Sequence, residues 1–400
     1  MVLWTAFFYT NMSLYIQLNV LNKIRGTLTK NAFRTQATKS VTLEYDKDPQ
    51  PLFTNPEIQK LLKSITQLDL SKIFRRTTAS VNSVEYKFMT TEQLEDVFRK
   101  TVEKAKVKLQ MPPIVKVRDD AQKIISVDKA LKGFSDTKFV ITDVTYGTRQ
   151  SERKVVVRDT DGTLHHAPME MAKRMKQLFV PLNGRKLRTP QMFEDENLQA
   201  RLEERKYEFI LDRLLVQFNP DEPDFHRISS KVYQHINETK EFDQLRSTRH
   251  FGPMAFFYVW HKCIDDLLYD MIKRDYLRNG AELIILYYKV HSIPEDFAEF
   301  LQKLDEHNSL EDLALKELNK SIKSKVNGDI HSEIESAIGK SAKDFEVDEL
   351  CLRFVEKYIA AYALKKVQLE LGIQTLREIN AEKKHLYEGL SKAHGIQSVS

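Results

Sequence analysis

Residues 139–164 read FVITDVTYGTRQSERKVVVRDTDGTL, and here the chain changes its period. Val140, Thr142, Val144 and Tyr146 alternate with Phe139, Ile141, Asp143 and Thr145, the two-residue repeat of a strand with two unlike faces. KVVVRD follows, and the turn residues Asp159-Thr160-Asp161-Gly162 lead into TLHHA. Two or three short antiparallel strands are expected, joined through a tight turn at Gly162.

On both sides the spacing is helical. Ile58, Leu61, Leu62 and Ile65 recur at i, i+3, i+4 and i+7 behind Pro56. Thr90 and Gln93 form a capping pair for a helix through Leu94, Val97, Phe98, Val102, Ala105 and Leu109, which Pro112 and Pro113 are expected to end. Pro168 opens a short helix to residue 179. From Thr189 the chain reads as helix nearly to its end: one segment through Leu215, then about 221–238, 251–274 and 279–290. Val347, Cys351, Phe354, Val355, Tyr358 and Tyr362 mark the apolar stripe of a long amphipathic helix. The fold class is therefore mainly α: a helical scaffold with a small antiparallel β module in the middle of the chain.

Composition narrows the function. Apolar residues make up 42% and charged residues 30% of the 400, a balance suited to a folded core. Only 12 residues are glycine, and no two lie closer than six positions. Dinucleotide and P-loop fingerprints and the nucleophile elbow need closely spaced glycines to bring backbone N–H groups to a phosphate or oxyanion, so all three are excluded. Cys263 and Cys351 both fall in apolar helical patterns and read as reduced buried thiols. No cofactor, metal or small-molecule substrate is expected.

The net charge of +5 is concentrated at one end. Lys23, Arg25, Lys30, Arg34 and Lys39 precede the first acid, Glu44, and without those five the basic and acidic residues are equal in number. A long basic, hydroxyl-rich stretch without acids has the composition of a mitochondrial transit peptide, and Leu14, Leu18 and Leu21 give it an apolar face. A signal peptide or membrane anchor competes, but no base precedes the apolar stretch, and Thr10, Asn11, Ser13, Gln17 and Asn19 interrupt it. No membrane partner is expected. The resulting organisation is a transit peptide over 1–44, helices and extended linkers over 45–135, the β module with a basic patch over 136–190, and a helical domain over 191–400.

A neutral body points to protein partners, with any RNA contact local. Residues 171–193 carry Lys173, Arg174, Lys176, Arg185, Lys186 and Arg188 and no acid, enough positive groups in one small region to hold several phosphates. The plainer reading of these six is a solvated face. Arg246 and Arg249 flank two hydroxyl residues ahead of Phe251, a possible phosphate clamp at a helix N-terminus. Salt bridges to neighbouring helices account for them somewhat better. Residues 295–350 hold 15 acids and 7 bases, a face suited to a basic partner or to plain solvent. Asp266, Asp270 and Arg274 share a helix face and read as a salt-bridged surface stripe rather than a catalytic pair. No enzyme motif is present.

Four stretches carry a resemblance: KVKLQMPPIV (106–115), the β segment 139–164, GRKLRTPQMFEDENL (184–198) and LRSTRHFGPMAFFYV (245–259), with IQKLLKSITQLDLSKIF (58–74) in the same order. Together they resemble one family of mitochondrial small-subunit ribosomal proteins, the family numbered twenty-two. The resemblance implies a non-enzymatic subunit on the periphery of the mitochondrial small ribosomal subunit, in the matrix. Its partners would be other small-subunit proteins and, locally, the small-subunit rRNA. A helical RNA-binding regulator acting off the ribosome is the alternative. The C-terminal hundred residues fall outside the resemblance and read as an extension.

Overall fold

In a computed structural model of the chain, residues 45–75, 86–118, 123–293 and 342–393 are described. The leader expected over 1–44 lies outside them, as does the acidic segment up to residue 341. The first helices are α1 (Gln50–Phe53), α2 (Pro56–Thr66), α3 (Leu70–Ile73) and α4 (Thr91–Lys108). Asn55 caps α2 by accepting the Glu57 N–H at 3.0 Å, and Pro56 sits where its missing N–H costs nothing. Ile58, Leu61, Leu62 and Ile65 are all buried, as their spacing requires. The Thr90–Gln93 capping box closes both ways, at 3.4 and 3.2 Å. On α4, however, only Val102 and Ala105 are buried, while Leu94 and Val97 stay exposed. The helix stops at Lys108, ahead of the two prolines. The extended chain beyond it lays Met111 against Gly252, where an added Cβ would meet the Met111 Sδ at 2.0 Å.

The sheet has four strands: β1 (Ile124–Val127), β2 (Phe139–Thr142), β3 (Val155–Arg158) and β4 (Thr163–His166). Their order is β1-β4-β3-β2 and every pairing is antiparallel. β1 adds an edge strand to the two or three expected, upstream of residue 136. Its IISV sequence is exposed at all four positions, so no inside-outside alternation announces it. β2 ends at Thr142, short of the period read to Tyr146. Gly162 occupies the β3–β4 turn with φ +81°, and a Cβ there would lie 1.9 Å from the Asp128 carbonyl oxygen. Val155 and Val157 bury one sheet face, where β3 meets α5 (Met169–Phe179).

The remaining helices are α6 (Asp195–Glu203), α7 (Tyr207–Gln217), α8 (Pro223–Thr239), α9 (Phe251–Trp260), α10 (Asp265–Lys273), α11 (Leu277–His291), α12 (Ala342–Ala361) and α13 (Lys366–Ala393). The core gathers on α9, whose residues Phe251 to Val259 are all buried. A helix apolar all round belongs inside, and α9 packs against both α2 and α11. Two stretches read as single helices are each two. The 189–215 segment breaks at Arg205 (φ 57°), and the 251–274 segment breaks at Lys262 (φ 57°). A left-handed residue there closes the last helical turn, with Cys263 N–H donating to the Tyr258 carbonyl at 2.9 Å. The α12 stripe is buried from Val347 to Tyr358, while Tyr362, just past the helix, is 41% exposed. Tyr288 of α11 meets Phe354, and Tyr287 meets Tyr358, in edge-to-face contacts. No helix among the described residues is long and apolar enough to cross a membrane.

Candidate nucleic-acid interface

The two basic clusters of residues 173–188 are brought together by a glutamine. From α5, Gln177 donates to the Arg185 carbonyl at 3.0 Å and accepts the Leu182 N–H at 3.3 Å. This fastens the loop carrying Asn183-Gly184 back onto the helix. Gly184 makes the turn with φ +80°. The loop is fixed on its far side by a reciprocal pair: the Lys186 N–H donates to Gln217 Oε1 at 3.0 Å, and Gln217 Nε2 donates to the Lys186 carbonyl at 2.9 Å.

The six cations then divide. Lys173 Nζ lies 2.5 Å from Glu222 Oε2 and 4.3 Å over the Phe218 ring, so its charge is answered inside the protein. Arg185 donates to the Val216 carbonyl at 3.1 Å and to Asn219 Oδ1 at 3.0 Å. Burial pushes its pKa down against the pull of Glu222. Lys176 is half-buried, and desolvation followed by the nearby Arg118 charge lowers its pKa, while Asp221 works the other way. Arg174, Lys186 and Arg188 are exposed and direct their charge to solvent.

Arg246 and Arg249 sit in different surroundings. Arg246 is only 3% exposed, lies between the rings of Phe251 and Tyr276, and pairs with Asp270 at 3.2 Å. Desolvation lowers its pKa, opposed first by Asp270. Arg249 holds Asp212 of α7 through Nη2 at 2.5 Å and Nε at 3.0 Å, and His250 reaches the same oxygen at 2.7 Å. Both arginines are thus engaged by carboxylates of other helices.

The carboxylates on α10 are not a surface stripe. Asp265, Asp266 and Asp270 are each under 10% exposed. Asp270 does hold Arg274 one turn on, at 3.0 Å, as the spacing implies. Asp266, by contrast, is answered by Lys240 at 2.6 Å and Lys365 at 2.7 Å, partners distant in sequence. Among the described residues, no three His, Cys, Asp or Glu side chains are grouped to hold a metal ion. Gln177, Gln217 and Glu222 organise the basic region, and sequence reading passed over all three. Apart from the Asn219 N–H, three residues from Glu222, their partners lie 5 to 49 residues away.

Of the eight cations marked in the sequence, Lys173, Arg246 and Arg249 are met by the protein's own carboxylates, and Arg174, Lys186 and Arg188 are left exposed. The chain belongs to the family described as Mitochondrial 28S ribosomal protein S22, whose model matches residues 51–292. Small ribosomal subunit protein mS22 of Bos taurus is 39% identical over 242 residues, covering 60% of this chain and 67% of the bovine one. The protein of the same name from Mus musculus is 38% identical over the same shares. The match begins in α1 and ends at Ser292, the left-handed residue that closes α11. Helices α12 and α13 lie beyond it.

Proposed function

We propose that this chain is a structural, non-enzymatic component of the small subunit of the mitochondrial ribosome, resident in the matrix and supporting mitochondrial translation. The family match over residues 51–292 carries this reading, because it spans the core helices and the sheet together. The charge arrangement supports a division of labour. A body formally neutral beyond residue 43 meets neighbouring small-subunit proteins over most of its surface. Arg174, Lys186 and Arg188, exposed and close together in sequence, supply the local contact with small-subunit rRNA, since phosphate contacts depend on accessible cations. Lys173 and Arg185 act behind this surface, holding the elements that present it.

Sedimentation of a mitochondrial lysate through a sucrose gradient tests the assignment. The protein should travel with the small-subunit RNA, and should stay with it when magnesium is chelated and the subunits part. Recovery at the top of the gradient, free of ribosomal RNA, would instead favour an RNA-binding regulator acting off the ribosome.

A further inference from the structure

The turn after α2 and the loop before α9 are tied by the Ser247 N–H, which donates to the Thr66 carbonyl at 3.0 Å. Beside this junction opens a solvent-connected pocket of about 460 Å³. Four cations line it: Lys72, Arg75, Arg246 and Arg274. Two carboxylates, Asp69 and Asp243, line it as well.

The cations are not fully answered. Asp69 is committed to the N-terminus of α3, accepting the Ser71 N–H at 2.9 Å, the Ser71 hydroxyl at 2.6 Å and the Lys72 N–H at 3.3 Å. The Asp243 carboxylate serves three cations at long range, Arg246 at 3.4 Å, Arg274 at 3.7 Å and Lys72 at 3.9 Å, and its backbone carbonyl accepts from the Lys72 ammonium. Asp270 adds one more carboxylate from behind, on Arg246 and Arg274. Four cations therefore face three carboxylates, one of which is already engaged as a cap.

The decisive group is Arg246. Its side chain is 4% exposed, yet its Nε and Nη1 have no hydrogen-bond partner. Asp243 lies within ion-pairing distance of Nε but does not meet hydrogen-bond geometry, so the pairing is loose. Buried guanidinium N–H groups left without acceptors are costly and uncommon. Ser247 Oγ accepts the Asp69 N–H at 3.2 Å, which keeps its own proton for another acceptor. Burial and the Arg246 charge also depress the pKa of Lys72 against the pull of Asp243, so an added anion at this place lowers the energy of each cation.

We propose that this pocket binds a phosphate group, with Arg246, Arg274, Arg75 and Lys72 as charged donors and Ser247 as a neutral one. Guanidinium groups match the oxygens of phosphate through paired N–H donors. The volume leaves room for the sugar of a nucleotide, so the phosphate is either free or part of an RNA backbone. The RNA source rests on the ribosomal reading, whereas binding of inorganic phosphate does not.

The test uses the full chain. Inorganic phosphate is titrated against chloride at constant ionic strength while the unfolding temperature is followed. A fluorescent twelve-nucleotide RNA is titrated in parallel by anisotropy. Phosphate should raise Tm in the wild type, and Lys72→Gln with Arg75→Gln should weaken that dependence about tenfold. Arg75→Glu alone, at an exposed position, should do the same with the fold intact if the double variant unfolds. If the RNA also binds about tenfold more weakly to the variants, with a salt slope reduced by about one per cation removed, the phosphate belongs to the RNA backbone. A change confined to inorganic phosphate assigns a free phosphate or nucleotide. Wild type and variants that respond alike to both ligands would overturn the site. Failure of sedimentation with the small subunit while phosphate binding persists would overturn only the RNA source.

Discussion

The carboxylate of Asp265, at the start of α10, accepts the backbone N–H of Leu364 at 2.7 Å, across 99 residues of sequence. The same oxygen takes the Lys365 N–H at 2.9 Å, and Tyr358 donates to its partner oxygen at 3.4 Å. Asp265 therefore holds the turn that leads into α13 from within the family-matched region and fastens to that region two helices that the match does not reach. Leaving such backbone N–H groups without an acceptor costs about 1–3 kcal/mol. Asp265→Ala should destabilise the chain by roughly 2–3 kcal/mol in urea titration, and Asp265→Asn by less, since one acceptor oxygen remains. Equal stability of all three proteins would show that α12 and α13 are held by apolar contact alone.

The basic region calls for two kinds of substitution. Arg174→Glu, Lys186→Glu and Arg188→Glu alter exposed side chains and should each change stability by no more than about 0.5 kcal/mol. Combined, they should reduce incorporation into the small subunit. Lys173→Glu places a second carboxylate against Glu222 and removes the ammonium over Phe218, so it should lower Tm on its own. Incorporation of the triple variant at the wild-type level would assign those three charges to solvent.

At the β3–β4 turn, Gly162→Ala forces an L side chain to adopt φ +81° and to overlap the Asp128 carbonyl. The expected cost is about 1–3 kcal/mol. Because Asp128 N–H donates to the Gly162 carbonyl at 3.0 Å, β1 should lose its amide-exchange protection first. Protection lost evenly over all four strands would argue against this order.

Acid should unfold the protein through particular carboxylates. Burial tends to raise the pKa of Asp212, yet hydrogen bonds from His250 and Arg249 hold it below the usual carboxylate value. Burial likewise opposes Asp266, and Lys240 and Lys365 bring it down. A group whose folded pKa lies below its unfolded one stabilises the native state above the unfolded value, and loses that contribution as pH falls through the folded value. Stability from these two is thus complete above about pH 5 and declines through pH ~4 and below. Lys365→Met and Arg249→Met should flatten the acid limb of a stability-against-pH curve, and curves parallel to wild type would refute it.

Cys351 is fully buried, and desolvation, with Asp348 adding to it, pushes its thiol up to about 12. It should resist thiol reagents at pH 8 until the chain unfolds, while the half-buried Cys263 reacts slowly. Modification of both cysteines at one fast rate in native protein would contradict the burial.

Helix faces were legible because burial follows spacing: the α2 stripe and the α12 stripe to Tyr358 fall where their periods put them. Helix ends were not. Gln67, Arg205, Lys240, Lys262, Asp275 and Ser292 all adopt positive φ at or just beyond helix C-termini. A chain poor in glycine closes its helices with residues that carry no stop signal, so 189–215 and 251–274 each read as one. β1 was hidden for another reason: an edge strand exposed on both faces needs no alternation. The charged sites show a third limit. Composition located the cations, but Glu222, Asp212 and Asp270 reach them only through tertiary folding, and those partners decide which cations remain available.

The Ser64 hydroxyl donates to Glu282 at 2.6 Å, and α2 rests on α11 along much of its length. These helices stand 218 positions apart by that bond, so the core depends on contacts of long sequence separation. Loop-closure entropy must be met before such a contact returns anything, which makes folding slow. A chain emerging N-terminus first, from a ribosome or through a membrane pore, exposes the apolar stripe of α2 for the whole interval before α11 appears. Its early life is therefore one of waiting with a sticky surface uncovered, a state in which aggregation competes with folding and holding chaperones have a place to act.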